Sequence, residues 1–281
     1  MDKSLQDLVE ARFGSTAPRV AAGEGEAGSG TVRGLLGHRT HRRYLDRPVS
    51  PELLDLLLAC AFSAPSKSDL QQAGVVRVCD PQLRSAIGAL IPSMPWIVQA
   101  PEFMLFIGDG RRIRTICTAR DKPFANDHLD AFFNPTVDAA LAMANFITAA
   151  EAEGLGCCPI SAVRNHAAEI GALLALPAQV FPVAGLCLGW PSREGFISAR
   201  LPLAASVHVD RYDDGAMLDQ VGEYDRRRDG IHAIPPDSHR LVERFGTAEF
   251  YGWSEDKARQ VAVQERETFG GYVRSQGFSL D

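Results

Sequence analysis

Apolar residues recur at helical spacing in several stretches of the chain. The clearest stretch follows Ser50-Pro51-Glu52, where the serine can cap the first turn of a helix and the proline suits its first position. Its apolar positions are Leu53, Leu54, Leu57, Leu58 and Ala61. The same spacing predicts further helices over residues 1–13, 80–91 and 165–176.

A longer helix is predicted from Asn134-Pro135 to Glu153-Gly154. Proline favours the first turn of a helix, and glycine suits the position just after its end. The helix contains many alanines, which permit close packing against other helices. Its inward face is predicted to be small and apolar and to consist of Val137, Leu141, Ala144, Ile147 and Thr148.

Short apolar runs between these helices predict β-strands. They cover residues 74–79, 103–108, 157–161 and 181–190. Val207-His208-Val209 is a further candidate strand. Residues 109–133 show no clean period and are interpreted either as a cover over a pocket or as an irregular surface crossing. Helices alternate with short strands without the regular rhythm of a doubly wound sheet, which indicates an α+β or α/β architecture.

Composition is typical of a soluble globular protein. The chain has 281 residues, of which 46% are hydrophobic and 23% charged, enough for one domain with embellishments or at most two. The longest apolar runs fall well short of a membrane helix, and residues 1–7 lack an apolar signal core. We therefore expect no membrane span and a cytoplasmic protein. Residues 23–30 are rich in glycine, which predicts that residues 1–33 form an arm with a flexible linker.

Net charge and the placement of cysteine and histidine residues limit which ligands and metal sites the chain can have. The net charge of -6 opposes general binding of nucleic acid, so a small molecule is expected. The six cysteines form no Cys-x-x-Cys pair, which argues against a disulfide framework and a zinc ribbon. Cys157-Cys158 are interpreted as packing residues rather than as a redox pair. His38 and His41 lie three residues apart, but neighbouring arginines disfavour a metal ion, so no metal site is predicted.

Common nucleotide and hydrolase motifs are absent from the sequence. Gly108-Asp109-Gly110 lacks the third glycine and the helix of a dinucleotide-binding fingerprint. The chain also lacks Gly-x-x-x-x-Gly-Lys-Ser/Thr and Gly-x-Ser-x-Gly, the signatures of P-loop proteins and of α/β-hydrolases. Nucleotide hydrolysis and ester hydrolysis therefore lose their main support.

A cationic stretch is the strongest candidate for chemistry. Residues 38–46 read His-Arg-Thr-His-Arg-Arg-Tyr-Leu-Asp and can grip an anion, although a solvated, charged helix end has the same composition. The predicted helix after Pro51 ends in a polar loop, Ala64-Pro65-Ser66-Lys67-Ser68-Asp69-Leu70-Gln71, which leads into the first predicted strand.

This order of Arg-rich turn, Pro-led helix, Ala-Pro-Ser loop and short strand resembles the start of the FMN-dependent nitroreductase family. Similar segments follow at Gly154 to Asn165, Leu186 to Pro191, Ala199 to Pro202 with Val207-His208, and Trp253 to Phe278. They are most similar to the larger, NADPH-preferring, oxygen-insensitive branch, which includes flavin reductases. The resemblance begins at about Gly34 and leaves the arm of residues 1–33 unmatched.

The resemblance implies the fold and the assembly. Residues 34–281 would form an α+β, nitroreductase-like FMN-binding domain with a C-terminal extension. Its central sheet would be mixed, mostly antiparallel and flanked by helices. The chain would form a homodimer with the long helix in the interface, and family sites draw residues from both chains.

The resemblance also implies where FMN binds. Arg39 and Arg200 are the expected phosphate partners, because a guanidinium donates two parallel hydrogen bonds to phosphate. Ser66 would bond the polar edge of the flavin, and the loop of residues 159–162 would present a backbone N–H near N5. The complete implied set is His38, Arg39, Thr40, Arg42, Ser66, Lys67, Ser68, Asp69, Gln71, Pro159, Ile160, Ser161, Ala162 and Arg200.

The implied reaction passes hydride from NADPH or NADH to FMN N5 and then to a nitroaromatic or quinone-like acceptor. In this ping-pong mechanism no side chain need act as a nucleophile, and Arg42 or Lys67 would stabilise the reduced flavin. Arg226 to Arg228 and Arg259 are candidates for the phosphate of the nicotinamide nucleotide, or else ordinary exposed arginines.

Some residues depart from the family pattern. Asp69 stands where relatives often have asparagine, Pro159 replaces an aromatic residue, Ser161-Ala162 replace a glycine pair, and Ser198 stands where the branch tends to have lysine. A specialised flavin oxidoreductase on the same fold, such as a dehydrogenase, dehalogenase or ene-type reductase, is therefore an alternative. A flavin-binding protein without catalysis is another.

Overall fold

The computed structural model describes residues 4–19 and 29–281 of the chain. Parts of the predicted arm and glycine-rich linker, residues 1–3 and 20–28, lie outside the described residues. In the part that is described, no helix is both long and apolar enough to cross a membrane.

The chain divides into two compact units. The first unit comprises Met1–His38 and Ile197–Glu265, and the second comprises Arg39–Phe196 and Arg266–Asp281. The predicted division into an arm of residues 1–33 and a domain from residue 34 onward stays a prediction.

The second unit is built around an antiparallel β-sheet. Its strands, within the described residues, are β1 (Ala73–Arg77), β2 (Glu102–Asp109), β3 (Gly156–Ile160) and β4 (Val180–Gly189). They lie in the order β1-β2-β4-β3, and β4, one of the two inner strands, is buried along its whole length. The three ladders are antiparallel, and a parallel pairing occurs at an isolated bridge between Thr40 and Cys157. The predicted α+β class with a mostly antiparallel sheet is confirmed.

Helices flank this sheet, and further helices occur in the first unit. In chain order they are α1 (Leu5–Phe13), α2 (Ser29–Gly37), α3 (Pro51–Phe62), α4 (Pro81–Leu90), α5 (Trp96–Gln99), α6 (Arg111–Ala119), α7 (Asp130–Ala152), α8 (Ala167–Leu173), α9 (Met217–His232), α10 (Val242–Phe245), α11 (Trp253–Val261) and α12 (Phe269–Ser275). The first unit contains α1, α2 and α9 to α11, and the second contains the others.

Both faces of the sheet are covered by helices. Successive residues of a strand point to opposite faces. Met104 and Phe106 of β2 therefore belong to the apolar cluster formed with α3 and α7, whereas Phe103 and Leu105 belong to the cluster formed with α4, α5 and α8. The uninterrupted apolar runs of the sequence reflect strands that are buried on two sides.

Helix α7 begins one turn earlier than predicted. It spans Asp130–Ala152, so Pro135 lies inside the helix rather than at its first position. Ala131 and Pro135 are both buried. This packing stabilises the additional turn, since tertiary contacts outweigh the local preference of proline for a helix start.

The predicted inward face of α7 is wrong at three of its five positions, whereas Ile147 packs against the core as predicted. Val137, Leu141 and Ala144 are exposed. The helix instead buries Ala131, Pro135, Asp138, Ala139, Ala142, Phe146 and Ala150. Both faces carry apolar residues at helical spacing, so periodicity does not distinguish the face that packs on the sheet from the one that does not.

Two predictions about irregular regions also need correction. Residues 109–133 show no clean period in the sequence, but Arg111–Ala119 within them forms the helix α6. Most of its residues are polar, so its apolar residues show the helical repeat only weakly. Val207-His208-Val209 is not a strand, because the Val207 N–H donates to the Leu203 carbonyl at 2.8 Å and the chain turns there. Val209 is 81% exposed, so it has no packing of the kind that stabilises a strand.

Candidate active site

The cationic stretch is held against the sheet. Thr40 pairs with Cys157 of β3, and the His41 N–H donates to the Cys157 carbonyl at 2.9 Å. Gly156 permits this close approach, since a Cβ at that position would lie 2.7 Å from the His41 side chain. Residues 39–45 therefore form a fixed part of the second unit rather than a solvated helix end.

Two arginines of this stretch have defined partners. Arg39 Nη2 lies 3.0 Å from Glu194 Oε1, and their side chains are 23% and 80% exposed respectively. The Arg42 guanidinium lies over the Trp96 ring, 5.5 Å from the ring centroid, and its positive charge acts on the Cys158 thiol. Arg39 thus faces an anionic oxygen, whereas Arg42 faces an aromatic ring and a thiol.

The loop of residues 66–71 has an unusual backbone. Ser68, Asp69 and Gln71 adopt left-handed conformations with φ of 51°, 56° and 51°, which residues other than glycine rarely adopt. The Ser66 hydroxyl accepts a hydrogen bond from the Gln71 N–H at 2.9 Å. Strain of this kind persists only where surrounding contacts hold it, and it is frequent at functional sites.

Two residues that were not assigned to the site from sequence hold this loop. Buried Asp138 of α7 accepts hydrogen bonds from the Lys67 N–H at 3.1 Å and the Gln72 N–H at 2.9 Å. Arg112 of α6 donates to the Gln71 carbonyl. An acidic residue on an otherwise apolar stripe was the available signal for Asp138, whereas the contact of Arg112 depends on a helix that the pattern did not predict.

A cavity of about 260 Å³ adjoins this loop. Its wall is apolar along α3 and α7 and polar at Ser66, Gln71, Arg112 and Asp138. The other predicted residues of the loop, 67–69, are exposed and do not line the cavity. An apolar wall with a few polar groups is typical of sites for small molecules.

The predicted flavin loop begins at the end of β3. Pro159 is exposed, whereas Ile160 and Ala162 pack against the core. Ser161 opens a short 3-10 turn, and its hydroxyl accepts a hydrogen bond from Arg266 Nη2 at 3.1 Å. Arg266 was not assigned to this loop from sequence, because no local motif marks it.

The thiols close to this strand are packing groups. Cys157, Cys158 and Cys187 are buried. Burial raises the pKa of all three thiols, although the positive charge of Arg42 opposes the shift at Cys158. Because the thiolate is the reactive form, a raised pKa supports the packing interpretation of Cys157-Cys158.

Comparison with protein families identifies the chain. The model of the nitroreductase family matches residues 35–190, more than half of the chain, and the model of the C-terminal domain of that family matches residues 198–281. The chain belongs to the nitroreductase family. The resemblance inferred from the sequence motifs is thereby confirmed.

Individual relatives of this nitroreductase-family chain agree. The NAD(P)H FMN reductase of Bacillus subtilis is 36% identical over 253 residues, which cover 89% of this chain and 98% of the relative. The oxygen-insensitive NADPH nitroreductase of Salmonella typhimurium is 31% identical, with coverage of 89% and 99%. Among solved structures, the NADPH:FMN oxidoreductase of Vibrio harveyi complexed with NAD+ superposes with a TM-score of 0.77 at 27% identity, covering 88% of this chain and 98% of that one.

Two predicted FMN residues of this nitroreductase-family chain, His38 and Arg200, lie in the first unit. Buried Arg12 donates to the His38 carbonyl at 2.7 Å, and the Arg12 carbonyl accepts from the Arg200 N–H at 2.8 Å. The Arg200 side chain is exposed. Both backbones are therefore fixed by Arg12, while the assignment of the two residues to FMN stays a prediction.

Two of the arginines considered for the nicotinamide nucleotide, Arg227 and Arg259, have internal partners. Arg259 of α11 is buried, pairs with Glu255 at 2.6 Å and donates to a backbone carbonyl at 2.9 Å. Arg227 of α9 donates to the carbonyls of Arg12 and Arg200 at 3.1 and 2.6 Å. Both guanidinium groups serve the fold of the first unit, which argues against Arg259 as a phosphate ligand.

Proposed function

We propose that this protein passes hydride from NAD(P)H through FMN to nitroaromatic or quinone-like acceptors by a ping-pong mechanism. The coarser statement, that the chain is an NAD(P)H-dependent FMN oxidoreductase, rests on relatives named FMN reductase, NADPH nitroreductase and NADPH-flavin oxidoreductase. These relatives confirm the predicted enzyme class and cofactors. The acceptors and the order of the steps stay predictions.

The residues of the second unit fit FMN. The Glu194 carboxylate beside Arg39 is a stand-in for a phosphate oxygen, because a guanidinium binds either anion in the same way. The cavity, whose lining includes neither Arg39 nor Glu194, separately offers an apolar wall suited to a ring system and, at Ser66 and Gln71, a hydroxyl and an amide suited to its polar edge. Arg112 on the same wall supplies a cation. This cavity is the observation that carries the proposal.

The protein binds and orients, while bound FMN supplies N5 as the atom that accepts and then gives hydride. Ser66 and Gln71 would hold the polar edge of the ring, and the turn of residues 159–162 would contribute a backbone N–H. Arg112, which lines the cavity, would stabilise negative charge that develops at the ring. No side chain is required as a nucleophile.

A specialised flavin oxidoreductase is the second candidate function. The observation that favours it is the altered loop at the end of β3, where Pro159 is exposed and the Ser161 hydroxyl is bonded to Arg266. A guanidinium at this position can bind a carboxylate or a carbonyl oxygen. A substrate that carries such a group would be preferred over a plain nitroaromatic compound.

We further propose that the protein is a homodimer formed through α7. Phe133, Val137 and Leu141 follow one another at intervals of four residues and are 56%, 37% and 39% exposed. Leu56 and Phe62 of α3, the helix packed beside α7, are 52% and 50% exposed. Grouped exposed apolar side chains mark interfaces in soluble proteins. A partner chain could then contribute to each flavin site.

Anaerobic rapid mixing tests the mechanism. Purified protein loaded with FMN should lose its oxidised flavin absorbance on mixing with NADPH or NADH. After removal of the nucleotide, a nitroaromatic compound or a quinone should restore that absorbance in a separate step. Reduction without reoxidation by either acceptor would favour the specialised oxidoreductase, and a protein that takes up no FMN would contradict the whole proposal.

Substitution of the expected phosphate partners tests the binding assignment. Arg39→Ala and Arg200→Ala should each weaken FMN binding by about tenfold to a hundredfold, because each removes a charge-assisted hydrogen bond. On a desalting column, each variant should therefore release FMN at a lower salt concentration than the wild-type protein does. Arg111→Ala, an exposed arginine of α6, is the matched control. Equal losses in the three variants would contradict the assignment.

A further inference from the structure

The N-terminal helix α1 precedes the region that matches the nitroreductase family, which begins at residue 35. It is nevertheless a well-defined element. The Ser4 hydroxyl accepts from the Asp7 N–H at 3.1 Å, and the Asp7 carboxylate accepts from the Ser4 N–H at 2.8 Å, so the two residues cap the first turn. The helix ends at Gly14, where φ is +60° and a Cβ would clash with the Arg227 side chain. A larger residue there would disturb Arg227.

Arg12 of α1 connects distant segments of the first unit. Arg12 is buried, with only 5% of its surface exposed. Its guanidinium donates hydrogen bonds to three backbone carbonyl oxygens, those of Leu36 at 2.8 Å, His38 at 2.7 Å and Ser198 at 3.2 Å. A planar guanidinium can serve several acceptors at once, and a buried one needs such partners. Arg12 therefore joins the segment that ends at His38 to the segment that leads into Arg200.

The backbone of Arg12 strengthens this connection. Its carbonyl accepts from the Arg200 N–H at 2.8 Å and from Arg227 Nη1 at 3.1 Å. Arg227 Nη2 also donates to the Arg200 carbonyl at 2.6 Å. The N–H and the carbonyl of Arg200 are thus both held by this cluster, while its side chain remains exposed.

We propose that Arg12 is a positioning residue, which holds His38 and Arg200 in place for the phosphate of FMN. The inference rests on the proposed function, since it takes both residues as FMN contacts. Binding a ligand restricts the groups that contact it, and a backbone that is already fixed loses less freedom in the process.

Paired titrations of the full-length apoprotein with FMN and riboflavin test this role, because riboflavin lacks the phosphate. In Arg12→Ala the dissociation constant for FMN should rise at least about tenfold, while that for riboflavin stays within about twofold of wild type. Arg12→Lys should not restore FMN binding, because an ammonium group cannot reproduce the fork of a guanidinium. Arg19→Ala, an exposed arginine of the same arm, is the matched control and should change neither constant.

Several results would overturn the inference. Equal weakening of FMN and riboflavin would show a merely structural role, and full rescue by lysine would show that the charge alone matters. If Arg12→Ala does not fold, Arg227→Ala removes the bond to the Arg200 carbonyl and should give the same selective loss of FMN. Normal FMN affinity in these variants would overturn this inference alone, whereas a wild-type protein that binds no FMN would overturn the proposed function as well.

Discussion

At the scale of single residues, the Arg39–Glu194 ion pair sets how strongly Arg39 can hold a phosphate. The two groups lie 3.0 Å apart, and the Glu194 side chain is 80% exposed. An exposed pair of this kind contributes at most about 1 kcal/mol, so the carboxylate competes with a phosphate without excluding it. We predict that Glu194→Gln lowers the dissociation constant for FMN by roughly twofold to fivefold, measured by quenching of flavin fluorescence.

The control for this prediction is Arg193→Gln, a change at the exposed neighbouring residue. It removes a positive charge instead of a negative one, so it should not tighten FMN binding. Riboflavin should bind equally well to wild type and to Glu194→Gln, since it has no phosphate to compete with the carboxylate. If Glu194→Gln bound FMN with unchanged affinity, the Glu194 carboxylate would not compete with the phosphate for Arg39.

Residue type made part of the candidate site predictable. Arg39, Ser66 and Gln71 carry groups suited to a phosphate or to a polar ring edge, and the structure places Arg39 at an anionic oxygen and the other two on the cavity. Arg112 and Arg266 could not be assigned in this way. They contact residues 41 and 105 positions earlier in the chain, and only the tertiary structure brings them there.

At the scale of elements, α7 supports the loop of residues 66–71 through Asp138. Its carboxylate accepts the N–H groups of Lys67 and Gln72, and an N–H without an acceptor in a buried place costs about 1 to 3 kcal/mol. We predict that Asp138→Ala lowers the free energy of unfolding by about 2 to 4 kcal/mol in urea denaturation. FMN binding should weaken as well, because the loop loses its support.

Asp130→Ala, at the exposed first turn of the same helix, is the matched control for Asp138. An acidic residue there interacts favourably with the helix dipole by at most about 1 kcal/mol, so the loss should be smaller. Asp138→Asn should lie between the two, because its carbonyl oxygen can still accept one hydrogen bond. Equal losses in Asp130→Ala and Asp138→Ala would show that the loop does not depend on this carboxylate.

Helix positions were easier to predict than helix faces. The Pro-led helix α3 was predicted from its cap and its repeat, because both signals are local. Helix α7 carries apolar residues on two sides, and periodicity alone assigned Val137 and Leu141 to the core, whereas the structure exposes them. The sequence pattern does not predict helix α6. Polar residues such as Arg111 and Arg112 dominate it, so its apolar repeat is too short to indicate a helix.

At the scale of the whole molecule, the two apolar sides of α7 have one physical explanation. One side packs on the sheet, with Phe146 fully buried. The other side displays Phe133, Val137 and Leu141 in a row, which leaves apolar surface in water unless a second chain covers it. The homodimer implied by the family resemblance supplies such a cover, and it stays a prediction until it is measured.

A chain carrying both Val137→Glu and Leu141→Glu should therefore be monomeric. Unpaired carboxylates buried in an apolar interface lose their hydration, whereas in a single chain both positions are exposed and tolerate a charge. Sedimentation velocity should give a dimer for wild type and a monomer for the variant, with unchanged far-ultraviolet circular dichroism. Val261→Glu, at an exposed apolar residue of α11, is the control and should leave the assembly unchanged. A double variant that remains dimeric would place the interface elsewhere, and a monomeric wild type would contradict the homodimer itself.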